Sequence, residues 1–157
     1  ISKEAYAPQF YGETHSEVDV PSILLKDGVK NNNLHDTNKE IVNINEIRSS
    51  FKSTKSWSHR VVNTENNSAT LIHQQPGQGN RRHYHPDWNE WWYIVDGEWE
   101  WEIDGVKKIV KKDDIVFIPK GIIHRIEATG DKPAIRLAIS REDVAHVYPD
   151  GEYTNED

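Results

Sequence analysis

His83, His85, Glu90 and His124 are the residues of this chain whose types and spacing could do chemistry. In extended backbone, alternate side chains share a face. His83 and His85 then point the same way, with α-carbons roughly 6.6 Å apart. Both imidazoles can reach one ion at adjacent coordination positions. Glu90 returns on the next stretch and offers a carboxylate. His124 follows a Pro119-Lys120-Gly121 turn and can supply a fourth donor. Three imidazoles and one carboxylate suit a divalent transition metal, and an octahedral ion would keep two positions open. A lone His-x-His is more often a pair of partly exposed strand histidines, so the surrounding pattern carries the weight.

That pattern is one of short strands and tight turns. Gly77 lies six residues before His83, and Gly97 lies seven after Glu90, closing an apolar run over 91–95. From residue 41 the chain reads as β-branched and apolar runs. Residues 41–44 are strand-like and lead into a short helical turn at 45–51. Strands are expected over 58–64, 68–75, 90–95, 98–103, 106–110, 115–118, 123–128 and 134–140, with a helical turn opening at 141–144. Asp104-Gly105 is a strong two-residue hairpin signal. Many short strands with turns between them argue for an all-β sandwich or barrel.

Gly77…His83-x-His85…Glu90…Gly97 resembles the first signature motif of the cupin superfamily, and Asp113…Pro119-x-Gly121…His124 resembles the second. The resemblance implies a small jelly-roll β-barrel around a cavity, with His83, His85, Glu90 and His124 as metal ligands. Two positions depart from the pattern: Asp113 stands where the family usually has Gly, and Ala128 where it usually has Asn. Both are structural positions, and Asp tolerates a left-handed backbone better than most residues. One copy of the motif predicts one barrel, over 41–148. An arm over 1–40 is expected to pack on the barrel or on a partner subunit, and an acidic tail follows over 149–157.

Composition narrows the partners. The net charge of −7 argues against nucleic acid, which wants a concentrated basic face. The Lys107-Lys108 and Lys111-Lys112 pairs read as solvated charges at a hairpin. With no cysteine, any metal site is built from nitrogen and oxygen and disulfides are excluded. No apolar run is long enough to span a bilayer, and the N-terminus lacks a signal-like apolar segment. A cytoplasmic protein without nucleic-acid or membrane partners is the expectation. So many aromatics around one strand pair favour a homodimer.

Parity along the strands selects substrate-binding candidates. Trp92 shares the face of Glu90, whereas Trp91 and Tyr93 point away and could meet a second sheet or subunit. Trp99, Trp101 and Ile103 alternate with Glu98, Glu100 and Glu102, giving one apolar and one acidic face. Trp101 is a cavity-wall candidate, although core or interface is the commoner fate of either tryptophan. Arg81 has the parity of His83 and could clamp a carboxylate or phosphate. Arg136 is a second candidate, with a surface position beside an acid the commoner alternative. Arg125 and Tyr84 face away from the ligands. His59 and His73 lie on early strands and could enter the cavity; a hydrogen-bonded structural role is commoner. His15, His35 and His146 fall outside the pattern and read as structural. No general acid or base is assigned.

The reading favoured here is an Fe(II)-dependent dioxygenase acting on a small anionic organic substrate. Manganese, nickel, cobalt or zinc would also suit the donors. One alternative is a metal-dependent isomerase or lyase acting on a sugar acid or hydroxy-acid. The other is a non-catalytic module that binds a small ligand.

Overall fold

The computed structural model describes residues 5–8, 30–31, 37–141 and 145–149. Most of the expected arm, the turn at 142–144 and most of the tail, as well as His15 and His35, lie outside the described residues. The strands are β1 (Ala5–Pro8), β2 (Lys30–Asn31), β3 (Trp57–Asn63), β4 (Ser68–Gln74), β5 (Glu90–Asp96), β6 (Glu98–Ile103), β7 (Val106–Lys111), β8 (Ile115–Ile118), β9 (His124–Thr129), β10 (Ala134–Ser140) and β11 (Ala145–Tyr148). Among the described residues one helix, α1 (Ile44–Ser50), precedes β3. No strand forms over 41–43, where Asn43 instead caps α1, its side chain accepting from the amides of Asn45 and Glu46.

Six strands make one sheet in the order β2-β3-β4-β10-β5-β8, and three make a second in the order β7-β6-β9. All these pairings are antiparallel except β2 with β3. β1 and β11 form a separate ribbon. The result is an all-β jelly roll. No helix among the described residues is long and apolar enough to cross a membrane.

Local chemistry explains the elements that matter for the site. Trp99 and Trp101 are fully buried while the glutamates between them are half-buried, so β6 turns its apolar face inward as the alternation predicts. Lys107 pairs with Glu100 at 3.3 Å across the β6–β7 hairpin. Its turn places Asp104 at φ 48° and Gly105 at φ 81°, both positive, as a primed turn requires. Asp113, standing where glycine is usual, takes φ 75°. The tyrosine hydroxyl of Tyr93 donates to its carboxylate.

The core divides in two. Trp92, Ile94, Trp99, Trp101, Ile118 and Ile126 pack between the sheets. Trp57, Val61, Leu71 and Ile135 pack on the opposite face of the six-stranded sheet, beneath Ile47 of α1.

Candidate metal centre

Two stretches that are not consecutive in sequence are stitched together to build the site. Residues 77–83 run antiparallel to β9. The amide of Gly77 donates to the Ala128 carbonyl at 2.7 Å, and that of Asn80 to Ile126 at 3.0 Å. His83 and His124 exchange both backbone bonds, at 3.0 and 2.8 Å. Two ligand candidates 41 positions apart thus become direct cross-strand neighbours, with ring centroids 4.4 Å apart. The amide of Gly121 donates to the His85 carbonyl at 2.7 Å, which holds the Pro-x-Gly turn against the other histidine. Glu90 opens β5 and faces inward from the six-stranded sheet.

His83, His85, Glu90 and His124 are all buried, and one donor atom from each lies within 4.8 Å of all the others. Donors about 2.0–2.2 Å from a common ion would stand roughly 3–4 Å apart, so the cluster is of the right size. Its chemistry fits as well. His83 Nδ1 lies 2.6 Å from the Arg81 carbonyl, and His124 Nδ1 lies 3.0 Å from the Ile122 carbonyl. A carbonyl only accepts, so each ring carries its proton on Nδ1 and turns the lone pair of Nε2 inward. His124 Nε2 is sealed from solvent and makes no hydrogen bond among the described residues. His85 Nε2 and Glu90 Oε2 stand 2.5 Å apart, with His124 Nε2 at 3.9 Å from the same oxygen.

Electrostatics keep the nitrogens available. Burial, and then the neighbouring rings of His124 and His85, hold the His83 imidazole well below its usual range. Burial lowers His124 to about 4, against the opposing pull of the Glu90 carboxylate. Neutral imidazoles are the forms that bind metals. The four residues together could therefore hold one divalent ion.

The substrate candidates scatter in an informative way. Trp92 is buried against the site, its ring edge-on to His124 at 5.6 Å. Trp101 lies behind it, fully buried and 5.4 Å from Trp92. Arg81 is half-buried, its guanidinium 4.8 Å above the ring of Tyr148. Arg136 is not a surface residue: it is 1% exposed, lies 4.4 Å over Trp99 and donates to Gln74 Oε1 at 2.6 Å. Arg125 faces outward with Glu127 at 3.5 Å.

His59 and His73 do not face the donor cluster. They sit on the outer face with Trp57 and Phe51, where His73 stacks on Trp57 and bonds the Lys55 carbonyl. Two residues escaped the sequence reading. Arg60 is buried on the inner face, its Nε donating to Thr70 Oγ1 at 3.2 Å. His146, read as structural, packs its buried ring 4.6 Å from His83 and 4.4 Å from His85. The available signal for His146 was its two-residue spacing from Tyr148, which puts both on one face of a strand.

Residues 70–140 match the cupin domain family. Over 63 residues the chain is 32% identical to the tetracenomycin polyketide synthase protein TcmJ of Streptomyces glaucescens, covering 40% of this chain and 42% of that one. Over 88 residues it is 35% identical to protein SchB of Streptomyces halstedii, covering 52% and 62%. The chain thus spans less than two thirds of either relative. Among solved structures it resembles a conserved Klebsiella pneumoniae protein with a double-stranded β-helix domain, at a TM-score of 0.57 and 24% identity, covering 68% of this chain and 87% of that one. With the motif spacing, the jelly roll and the buried donor cluster in agreement, residues 70–140 are a cupin domain.

Proposed function

We propose that the chain is a metal-dependent enzyme acting on a small, anionic, oxygen-rich organic molecule. The observation that carries this reading is the buried convergence of three imidazoles and one carboxylate, with burial biasing His83 and His124 toward the neutral form. A bound divalent ion would supply Lewis acidity toward a carbonyl or enolate oxygen or, if redox-active, electrons for oxygen chemistry. The protein's own part is to orient and to keep dry. The Arg81 and Ile122 carbonyls fix the tautomers of His83 and His124, and Trp92 backs the His124 ring. Burial excludes water and strengthens every electrostatic contact inside.

Non-oxidative chemistry on a carbonyl-rich substrate is the reaction class we favour. It draws support from the similarity to a polyketide synthase protein, since polyketides are rich in carbonyl and enol groups. The isomerase or lyase expectation belongs to this class. Iron-dependent dioxygenation is the second reading, favoured by the nitrogen-rich donor set. The test is to restore iron, manganese, cobalt, nickel and zinc separately to metal-free protein. Each form is then offered carboxylate and poly-carbonyl substrates with and without dioxygen. Turnover without dioxygen, with several metals, is expected. Turnover confined to the iron form and matched by oxygen uptake would favour the second reading. No turnover by any form would leave a ligand-binding module.

The same reading includes a second copy of the chain. The outer face of the six-stranded sheet is covered by α1 on one side, and over β5 and β8 it exposes Trp91, Ile115 and Phe117. A homodimer closing that face is proposed.

A further inference from the structure

The strand β11 belongs to neither barrel sheet, yet it lies against the donor cluster. It pairs with β1 on one side, and on the other Val147 exchanges both backbone hydrogen bonds with Tyr84, each at 3.0 Å. Tyr84 is the residue between His83 and His85. An antiparallel pair centred on Tyr84 and Val147 sets His85 opposite His146 and His83 opposite Tyr148. Flanking a hydrogen-bonded pair, these are the close pairs, and their side chains share the face of the two ligand histidines.

The contacts agree with that register. The His146 ring stands edge-on to His85 at 4.4 Å and near-parallel to His83 at 4.6 Å. Tyr148 lies 6.2 Å from His83 and is fully buried, with the Arg81 guanidinium over its ring. His146 is not one of the four residues whose donor atoms converge. A guanidinium, a phenol and an imidazole therefore line the flank of the cluster, each able to donate hydrogen bonds.

We propose that Arg81, His146 and Tyr148 form a carboxylate subsite, holding the carboxylate of a small hydroxy- or keto-acid whose second oxygen faces the four donors. The subsite rests on the metal-dependent reading given above. It makes β11 a working wall of the site, fixed through Tyr84 to the same segment that carries the ligands.

The test uses the full chain loaded with cobalt(II), whose visible absorption reports its coordination. Lactate is the probe, with one carboxylate and one hydroxyl. Wild type, His146→Gln and Tyr148→Phe are expected to hold one cobalt each, by elemental analysis. Lactate should perturb the wild-type spectrum. Tyr148→Phe should bind it roughly tenfold more weakly, the effect of losing one hydrogen bond, and His146→Gln more weakly as well, because its amide keeps a donor but displaces it from the imidazole's position. Tyr148→Phe keeps the ring, so it reports the lost donor even if His146→Gln folds poorly. Equal lactate affinity in wild type and both variants overturns the subsite and leaves the metal centre standing. A cobalt-loaded wild type that binds no lactate does the same. Loss of cobalt from a folded His146→Gln also overturns it, because the ring would then serve the metal rather than the ligand. A wild type that holds no cobalt overturns both proposals.

Discussion

Burial holds the His124 imidazole at about 4, whereas in an unfolded chain it would return to its ordinary 6.5. Unfolding therefore takes up protons between those values. Stability is complete above pH 6.5 and falls as pH drops toward 4, with His83 displaced in the same direction. The His124 separation alone corresponds to roughly 3 kcal/mol. Metal-free protein is expected to lose urea stability steadily between pH 6.5 and 4.5, and His124→Gln should flatten that slope. A midpoint constant down to pH 5 would contradict the burial argument. Separately, His83→Ala or His124→Ala should sharply lower bound metal while leaving a β-rich circular-dichroism spectrum. Full metal content in both variants would count against the ligand assignment. His83, His85 and Glu90 were legible because their spacing is local, and distant His124 because it follows the Pro119-x-Gly121 turn of a motif that resembles the second cupin signature. His146 was not, because only a pairing between segments some 60 residues apart brings it to His85.

The strands were legible wherever one face is wet. β6 and β5 alternate cleanly, and their bounds fall within a residue of the sequence expectation. β3 and β4 defeated parity because both of their faces are buried, one toward the barrel and one beneath α1. A histidine there reads the same whichever way it points, and His59 and His73 point outward. Gly79 was passed over entirely, although it decides how the ligand segment meets β9. A Cβ added at Gly79 would stand 1.8 Å from the Ile126 carbonyl oxygen. Backbone cannot yield as a flexible side chain can, so Gly79→Ala must push residues 77–83 away from β9. A loss of about 3 kcal/mol or more is expected, at the upper end of overpacking costs. Because the same ladder pairs His83 with His124, metal affinity should fall together with stability. Chemical unfolding and a metal titration on one sample would check both. Normal values for the two would mean that this crossing is looser than its geometry implies.

At the scale of the whole molecule, the exposed apolar sheet face and the acidic charge make opposing demands on association. Trp91 is 41% exposed, Ile115 67% and Phe117 58%. Their rows run across three strands: Ile139, Trp91 and Phe117 in one, Leu137, Tyr93 and Ile115 in the next. Among the described strands β8 is the last of its sheet, and it offers an open backbone edge. Such an edge is satisfied by another strand, and the same edge of a second copy supplies one antiparallel to it about a two-fold axis. Apolar burial then favours the pair, while a net charge of −7 on each chain repels it. Association should consequently tighten as salt screens that repulsion. Light scattering is expected to give a dimer that strengthens from low to moderate ionic strength. Phe117→Glu should yield a monomer with unchanged β-sheet content, because the side chain projects from the outer face and touches neither core. A wild type that stays monomeric at every salt concentration would mean that this face meets something other than its own copy.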